Sequence, residues 1–357
     1  MNRRPEIVDA GLGPTDARRQ PAEMRGCGGR LPSAPVIGLI VNPNSRRNRR
    51  HLPDLIQVAG RCPDIHHRIA ARDSDVPGML AEFAAMSVNV LAISGGDGTV
   101  SRVLTHLLEE RPFAAPPCIA VLRGGTANMT AGDVGLHGSA HSALQRLSDW
   151  VRHGAGDAKV LRRPILRVSA GGNRPTRYGM FFGAGAIVQG IEYTNANIHS
   201  RGLKDEFSLG LGLIRSMWGI AREDSRFIQP ADISIGIDGD SPAPPRPVVL
   251  LLVSSLERLF LNMHPYWGED NGKPLHTTMV NSPATRLLRN LPSLLRGKPN
   301  RDLARDSAYV SRNVERLYLD FDGPFTLDGE IEHAHREAGP VEVSNGGELS
   351  FIGIDHR

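Results

Sequence analysis

The chain has 357 residues, more than a single compact core usually holds, and 40% of them are hydrophobic, so two domains with substantial cores are expected. Its formal net charge is only +4, from 42 Lys and Arg against 38 Asp and Glu, which speaks against a general nucleic-acid binder and leaves any basic surface local. Three widely spaced cysteines, Cys27, Cys62 and Cys118, form no metal-binding spacing and argue for a reducing compartment without a disulfide framework. No stretch has the roughly 18 to 20 apolar residues a membrane span needs, and Arg3 and Arg4 are not followed by the apolar run of a signal peptide.

Residues 1–34 are rich in Gly, Pro and charge without periodicity and read as a disordered leader. A first strand, Val36 to Val41, runs into Asn42-Pro43-Asn44-Ser45, a turn signal, and then into Arg46, Arg47, Arg49 and Arg50. These arginines read either as a solvated basic loop or as a contact with phosphate or an anionic surface; their place after a strand in an α/β pattern favours the contact. A weaker strand follows at Ile65 to Ala70, then a helix from about Asp75 to Met86 with Asp73 and Ser74 as candidate caps.

Val88, Val90, Leu91 and Ile93 form a buried-strand pattern that ends at Ser94-Gly95-Gly96-Asp97-Gly98-Thr99. Beyond it, Val100, Val103, Leu104, Leu107 and Leu108 share one helical face. A glycine turn between strand and helix presents backbone N–H groups and the positive end of a helix dipole, a cradle for phosphates. The same glycines could equally serve a tight turn with no ligand. Asp97 is the informative residue, since a carboxylate beside phosphates needs a cation such as Mg²⁺ or a role in proton transfer.

Ile119 to Leu122 makes the next strand and leads into Arg123-Gly124-Gly125-Thr126-Ala127-Asn128, a second loop of glycines with neutral hydrogen-bonding side chains. Ser139 to Val151 reads as a helix that closes the first domain near Gly154. Successive βα units predict a parallel sheet with helices on both faces. After Gly154 come short runs divided by Gly, Pro, Asn and Asp: Val160 to Val168, Tyr178 to Phe182, Ile233 to Ile237, Val248 to Val253, Val314 to Phe321, Phe325 to Leu327, Val341 to Val343 and Leu349 to Ile354. They predict an antiparallel β-rich domain. Gly183-Ala184-Gly185 reads as a bulge or hairpin feature rather than a cofactor site, and Phe207 to Ile220 as a packed helix.

In Arg286 to Arg296 five leucines share a face opposite the arginines. This suits an anionic membrane surface or core packing with a solvated basic side, and Pro292 is expected to break or kink the helix. Asp328-Gly329-Glu330 places two carboxylates around a glycine, which is either a hairpin turn or an acid/base pair. His333 and His335 read as a surface turn for lack of a third ligand.

Taken together, Asn42-Pro43, Gly95-Gly96-Asp97-Gly98-Thr99, Gly125-Thr126-Ala127-Asn128 and Leu327-Asp328-Gly329-Glu330 resemble the diacylglycerol kinase catalytic family, with its bacterial lipid kinase and sphingosine kinase relatives, over residues 36 to 354. The first glycine turn is shared with NAD kinases and names only the superfamily; the second loop and the late Asp-Gly-Glu point to the lipid-kinase branch. The resemblance implies a Rossmann-like α/β nucleotide-binding domain at 35–156, then a β-sandwich-like domain at 157–357 with helical insertions, and an active site between them. It implies ATP and Mg²⁺. Asn42, Ser45, Gly95, Gly96, Gly98, Thr99, Gly125, Thr126 and Asn128 would line the nucleotide, Asp97 would reach the metal, Asp328 would act as general base and Glu330 would support it.

The implied acceptor is a lipid hydroxyl such as that of diacylglycerol. The implied setting is cytoplasmic and peripheral on the inner membrane face, with contacts through Arg46 to Arg50 and Arg286 to Arg296, no nucleic-acid partner, and homo-oligomerisation left open. Arg46 replaces the family's usual glycine, Met129 replaces a common acid, and Ser254 to Gly268 lacks the glycine-rich pattern of bacterial members, which bears on the acceptor. An NAD kinase-like soluble enzyme and a non-catalytic lipid- or nucleotide-binding homologue are the competing readings.

Overall fold

In a computed structural model, residues 30–154, 156–192 and 230–355 are described. The leader read at 1–34, up to residue 29, and the helix read at Phe207 to Ile220 lie outside them.

Four strands, β1 (Ile37–Val41), β2 (Ile65–Ile69), β3 (Val90–Gly95) and β4 (Cys118–Arg123), form a parallel sheet in the order β2-β1-β3-β4. β1, β3 and β4 are largely apolar on both sides because helices cover both faces, while the edge strand β2, Ile-His-His-Arg-Ile, is only partly buried. α1 (Asn48–Gly60) and α5 (Ala140–His153) pack Leu55, Val58, Leu144 and Leu147 against one face. α2 (Val76–Ala85) and α3 (Asp97–Glu110) pack Leu80, Phe83, Val103 and Leu104 against the other. Ser139 caps α5, its hydroxyl accepting from the Ser142 N–H at 3.1 Å. Neither Asp73 nor Ser74 caps α2 as expected: they lie in a short 3₁₀ turn, Asp73–Asp75, whose Asp75 carboxylate accepts from the Arg72 N–H instead.

The expected change of pattern after Gly154 is present as an antiparallel, strand-rich region. β5 (Asp157–Ser169), β6 (Arg177–Gly179), β7 (Phe181–Gly185), β8 (Ala231–Ile237), β9 (Arg246–Ser254), β10 (Leu275–Asn281), β11 (Tyr309–Val314), β12 (Arg316–Asp320), β13 (Gly323–Leu327) and β14 (Glu330–Ala334) pair antiparallel. Tyr178 to Phe182, expected as one strand, is two. Met180 separates them, because the N–H groups of Met180 and Phe181 turn to the Asp328 carboxylate. Val341 to Val343 and Leu349 to Ile354, expected as two strands, are the ends of one, β15 (Val341–Asp355). Gly346 and Gly347 lie in it at a register shift between Asn345 and Glu348, so their turn chemistry makes a bulge and not a break.

β15 ties the two regions together. Its start pairs antiparallel with β12, most of its length with β5, and Phe351 pairs parallel with Ile119 of β4, so residues near the C-terminus extend the first domain's sheet. Val341 and Val343 pack with the antiparallel region, while Phe351 joins the core beside α2 and α3 and Ile352 the core beside α1 and α5.

The helix Leu287–Leu295 turns Leu287, Leu291 and Leu294 inward and leaves Arg286, Arg289 and Arg296 exposed. It passes through Pro292, which sits on the exposed side, so the expected break does not occur there. Cys62 is a buried free thiol; Cys118 is disulfide-bonded, against the expectation of uncrosslinked cysteines.

Phe351 is fully buried at the junction, and Phe351→Ala is expected to destabilise the whole chain by about 3–5 kcal/mol, read as a lower urea midpoint.

Candidate functional site

The first two loops are built as one unit. Asn48, buried at the start of α1, donates through Nδ2 to the carbonyls of Asn42 (2.8 Å) and Ser94 (2.9 Å) and accepts from the Ser94 hydroxyl at 3.1 Å. Asn42 in turn donates to Thr99 Oγ1 at 2.8 Å. The Arg47 N–H bonds the Gly124 carbonyl at 2.9 Å, and the Gly124 N–H the Gly95 carbonyl at 2.9 Å. Gly125 packs so closely on Gly96 that a side chain on Gly125 would run into the Gly96 backbone. Asn128 sits in the left-handed region at φ 51° and closes its own loop, accepting from the Gly125 N–H at 2.9 Å and donating to the Gly125 and Thr126 carbonyls. Ser45 precedes α1, its carbonyl accepting the Arg49 N–H at 3.0 Å.

Gly96 precedes α3, and Asp97 opens it, where a carboxylate favours the helix dipole. The Asp97 carboxylate also reaches the next element: Oδ2 accepts from the Met129 N–H at 3.1 Å and Oδ1 from the Thr130 N–H at 2.9 Å, the first turn of the short helix α4 (Met129–Asp133). Burial raises the Asp97 pKa, and these N–H bonds oppose the rise.

Asp328 arrives from the far end of the chain on the turn between β13 and β14. It takes φ 49°, and Gly329 follows at φ 89°, the left-handed geometry that favours Asp-Gly in a tight hairpin. Its Oδ2 accepts from the Met180 N–H and its Oδ1 from the Phe181 N–H, both at 3.0 Å. Gly179 has no room for a side chain against this carboxylate. Burial, and then the neighbouring Asp97 charge, push the Asp328 pKa well above the usual carboxylate range against those two bonds. Glu330 pairs with Arg102 of α3 at 2.8 Å and lies over Gly98, where a Cβ would come within 2.5 Å of its Oε1. A side chain on Gly98 would displace the Glu330 carboxylate where the late turn docks on the first glycine loop.

Asp97, Thr126, Asp328 and Glu330 line one cavity of about 580 Å³; the other expected residues, Asn42, Ser45, Gly95, Gly96, Gly98, Thr99, Gly125 and Asn128, build the loops behind it. Arg46, Arg49 and Asn44 add to its polar end. Away from the carboxylates the wall is apolar: Phe181, Ile187, Ile191, Leu250, Leu252, Leu259, Phe260, Met263, Pro265, Leu294 and Leu295. None of this wall was assigned to a site from sequence, because its residues are scattered over strands and loops whose inward faces look like ordinary core.

Asp133 was missed as well. Its side chain is 1% exposed, pairs with Arg163 at 3.0 Å and Arg258 at 3.8 Å, and accepts from the Glu257 N–H at 3.3 Å. Through α4 it joins the element that Asp97 caps to the turn carrying Leu259 and Phe260. Its only sequence signal is an acid four residues past the helix start at Met129.

Among the described residues no cluster of three or more His, Cys, Asp or Glu could hold a metal, so His333 and His335 form no such site. Asp97 and Asp328 nevertheless fit a hard divalent cation. Both are buried carboxylates, their charges repel, and no Lys or Arg is paired with either among the described residues. Mg²⁺ is commonly held by one or two carboxylates together with substrate phosphates and water.

Residues 36–156 match the family model of the diacylglycerol kinase catalytic domain. This segment is similar to the diacylglycerol kinase catalytic domain. The chain is 31% identical over 107 residues to a "Probable lipid kinase YegS-like" protein of Enterobacter sp. (strain 638), covering 30% of this chain and 36% of that one. It is 33% identical over 81 residues to the protein so described in Yersinia pestis (strain Pestoides F), covering 23% and 27%. The matches therefore span about a third of these relatives' lengths. A crystal structure of a diacylglycerol kinase from Bacillus anthracis str. Sterne superposes with TM-score 0.55 at 17% identity, covering 90% of this chain and 96% of that one. The diacylglycerol kinase fold thus extends through the antiparallel region, beyond the catalytic domain's own 36–156.

Because Asp328 binds its proton more tightly when folded than when unfolded, its contribution is fully present below the unfolded value near 4 and declines as pH rises above it. Asp328→Asn is therefore expected to flatten the fall in stability as pH rises above the unfolded value, measured by urea unfolding across a pH series; parallel pH profiles would refute the assignment.

Proposed function

We propose that the protein is an ATP- and Mg²⁺-dependent kinase that phosphorylates the hydroxyl of an acyl lipid, with diacylglycerol as the simplest acceptor. The observation that carries this reading is the cavity itself: two buried carboxylates and two arginines at one end, and a long apolar wall leading away from them. A lipid hydroxyl can sit at the carboxylates only if its chains have somewhere to go, and the wall of β7, β9 and the leucine helix is that place. A soluble dinucleotide acceptor has no use for such a wall, which disfavours the NAD kinase reading.

Phosphoryl transfer needs positioning, charge neutralisation and an acceptor for one proton. The start of α3 would form the phosphate cradle, with Gly96 and Gly98 permitting close approach, while the second glycine loop, its Gly124 and Gly125 N–H groups already bonded to the Gly95 carbonyl and Asn128, backs it. Arg46 and Arg49 supply positive charge beside it. Mg²⁺, held by Asp97 with Asp328 beside it, would neutralise the phosphates when bound. The lipid oxygen attacks the γ-phosphorus as the bond to the β-phosphate oxygen breaks, and its proton passes to the Asp328 carboxylate. A raised pKa suits that task, since a base works best when its affinity for protons lies near the working pH. Glu330, salt-bridged to Arg102, keeps the late turn seated on Gly98.

No described helix is long and apolar enough to cross a membrane. The exposed arginines would let the enzyme meet its lipid at an anionic membrane surface. With its leucines buried, the Arg286 to Arg296 segment would offer charge and not insertion.

Incubating the full chain with ATP, Mg²⁺ and a total lipid extract, with products identified by mass spectrometry, is expected to give a phosphorylated lipid. Formation of NADP from NAD without any lipid product would reject the proposal, as would nucleotide binding with no turnover. Asp328→Asn should lower turnover roughly 10²- to 10⁴-fold without loss of ATP binding, the usual worth of a general base. Leu252→Trp, which narrows the apolar wall, should raise KM for a long-chain acceptor about 10-fold, equivalent to about 1.4 kcal/mol, and leave a short-chain acceptor unaffected.

A further inference from the structure

A second cavity, of about 520 Å³, opens on the α1 and α5 side of the first loop and shares only Arg46 with the catalytic cavity. Arg46, Arg47, Asn48, Arg50 and His51 from the start of α1 line it, with Arg123 from the end of β4 and Ser139, Ala140 and His141 from the start of α5. Its only carboxylate is Asp54, whose Oδ2 lies 3.4 Å from the His51 ring.

Several independent features of this cavity call for an anion. None of Arg46, Arg47, Arg50 or Arg123 is paired with a carboxylate among the described residues, although the chain has nearly as many acids as bases to offer. The Arg123 Nε is buried without a hydrogen-bond acceptor, a donor left unsatisfied by the protein itself. α5 is capped only in part: Ser139 Oγ takes the Ser142 N–H, and the Ser139 carbonyl takes that of Ala143. Ala140 and His141 open a 14-residue helix, where the first N–H groups have no partner within the helix itself and the dipole is positive. The volume lies in the range of small-molecule sites, about 300–1,000 Å³, and so admits a phosphate with the group that carries it.

We propose that this cavity is a second anion site that binds a phosphomonoester, distinct from the catalytic cavity and adjoining it through Arg46. Arginine forks match phosphate oxygens two at a time, and the rings of His51 and His141 offer further N–H donors. Two sources share this chemistry, the headgroup of a phosphorylated lipid in a membrane and a free phosphomonoester. The site stands whether or not the acceptor of the catalytic cavity is a lipid.

The test uses the full chain and glycerol 3-phosphate, followed by isothermal titration, with Arg50→Ala/His141→Ala as the variant, since both residues line this cavity alone. The variant should bind at least 10-fold more weakly with an unchanged melting temperature and unchanged ATP binding. Arg152→Ala, an exposed arginine at the other end of α5, controls for net charge and should bind as the parent does. Flotation with phosphatidylcholine vesicles, with and without phosphatidic acid, separates the sources. Recruitment by phosphatidic acid that the double variant alone loses marks a membrane headgroup; loss of glycerol 3-phosphate binding with recruitment unaltered marks a free phosphomonoester. Parental affinity in the double variant, an equal loss in Arg152→Ala, or no binding of either probe by the parent would overturn the proposal.

Discussion

Two carboxylates that arrive from opposite ends of the chain are each pinned by a pair of backbone N–H groups, and the rest of the site is arranged around that constraint. Asp97 holds the first turn of α4; Asp328 holds the junction of β6 and β7. Two hydrogen bonds to one carboxylate fix its orientation, and they partly offset the cost of burying charge. They do not remove it, and the residual repulsion between the pair is what makes a cation or a proton welcome there.

The same bonds determine how neighbouring elements fold. Met180 interrupts what would otherwise be one strand, and α4, only five residues long, has its first N–H groups satisfied by a side chain from another helix. Asp133 at the other end of α4 is clamped by Arg163 and Arg258, so α4 connects Asp97 to the segment that leads into the turn walling the apolar part of the cavity. Charge is used here for alignment, inside a frame that hydrophobic burial provides. That frame depends on β15, one strand whose side chains serve all three cores.

The pattern that was easiest to read was the parallel half. Its central strands β1, β3 and β4 are largely apolar and its helices amphipathic, because each contacts the core locally; the glycine loops follow at strand ends, where an open sheet exposes backbone N–H groups. The antiparallel half was legible as a class and less so in its divisions. Gly346 and Gly347 look like a strand end and are a bulge, since β5 continues to pair across them. Pro292 looks like a helix break and is tolerated, since it lies on the exposed side of its helix.

The sequence by itself determined the two glycine loops, the acid between the first glycines, the late Asp-Gly-Glu turn and the order of fold types, because each depends on residues close together in the chain. Only the tertiary structure decided that Asp328 lies beside Asp97, that Glu330 closes on Gly98, and that residues of β7, β9 and the leucine helix line one apolar cavity. It also decided that Asn42 and Asn128 brace the loops through their hydrogen bonds. The physical reason is that a side chain's partner across a fold is set by strand register and by competition for backbone N–H groups, and neither is written in local spacing.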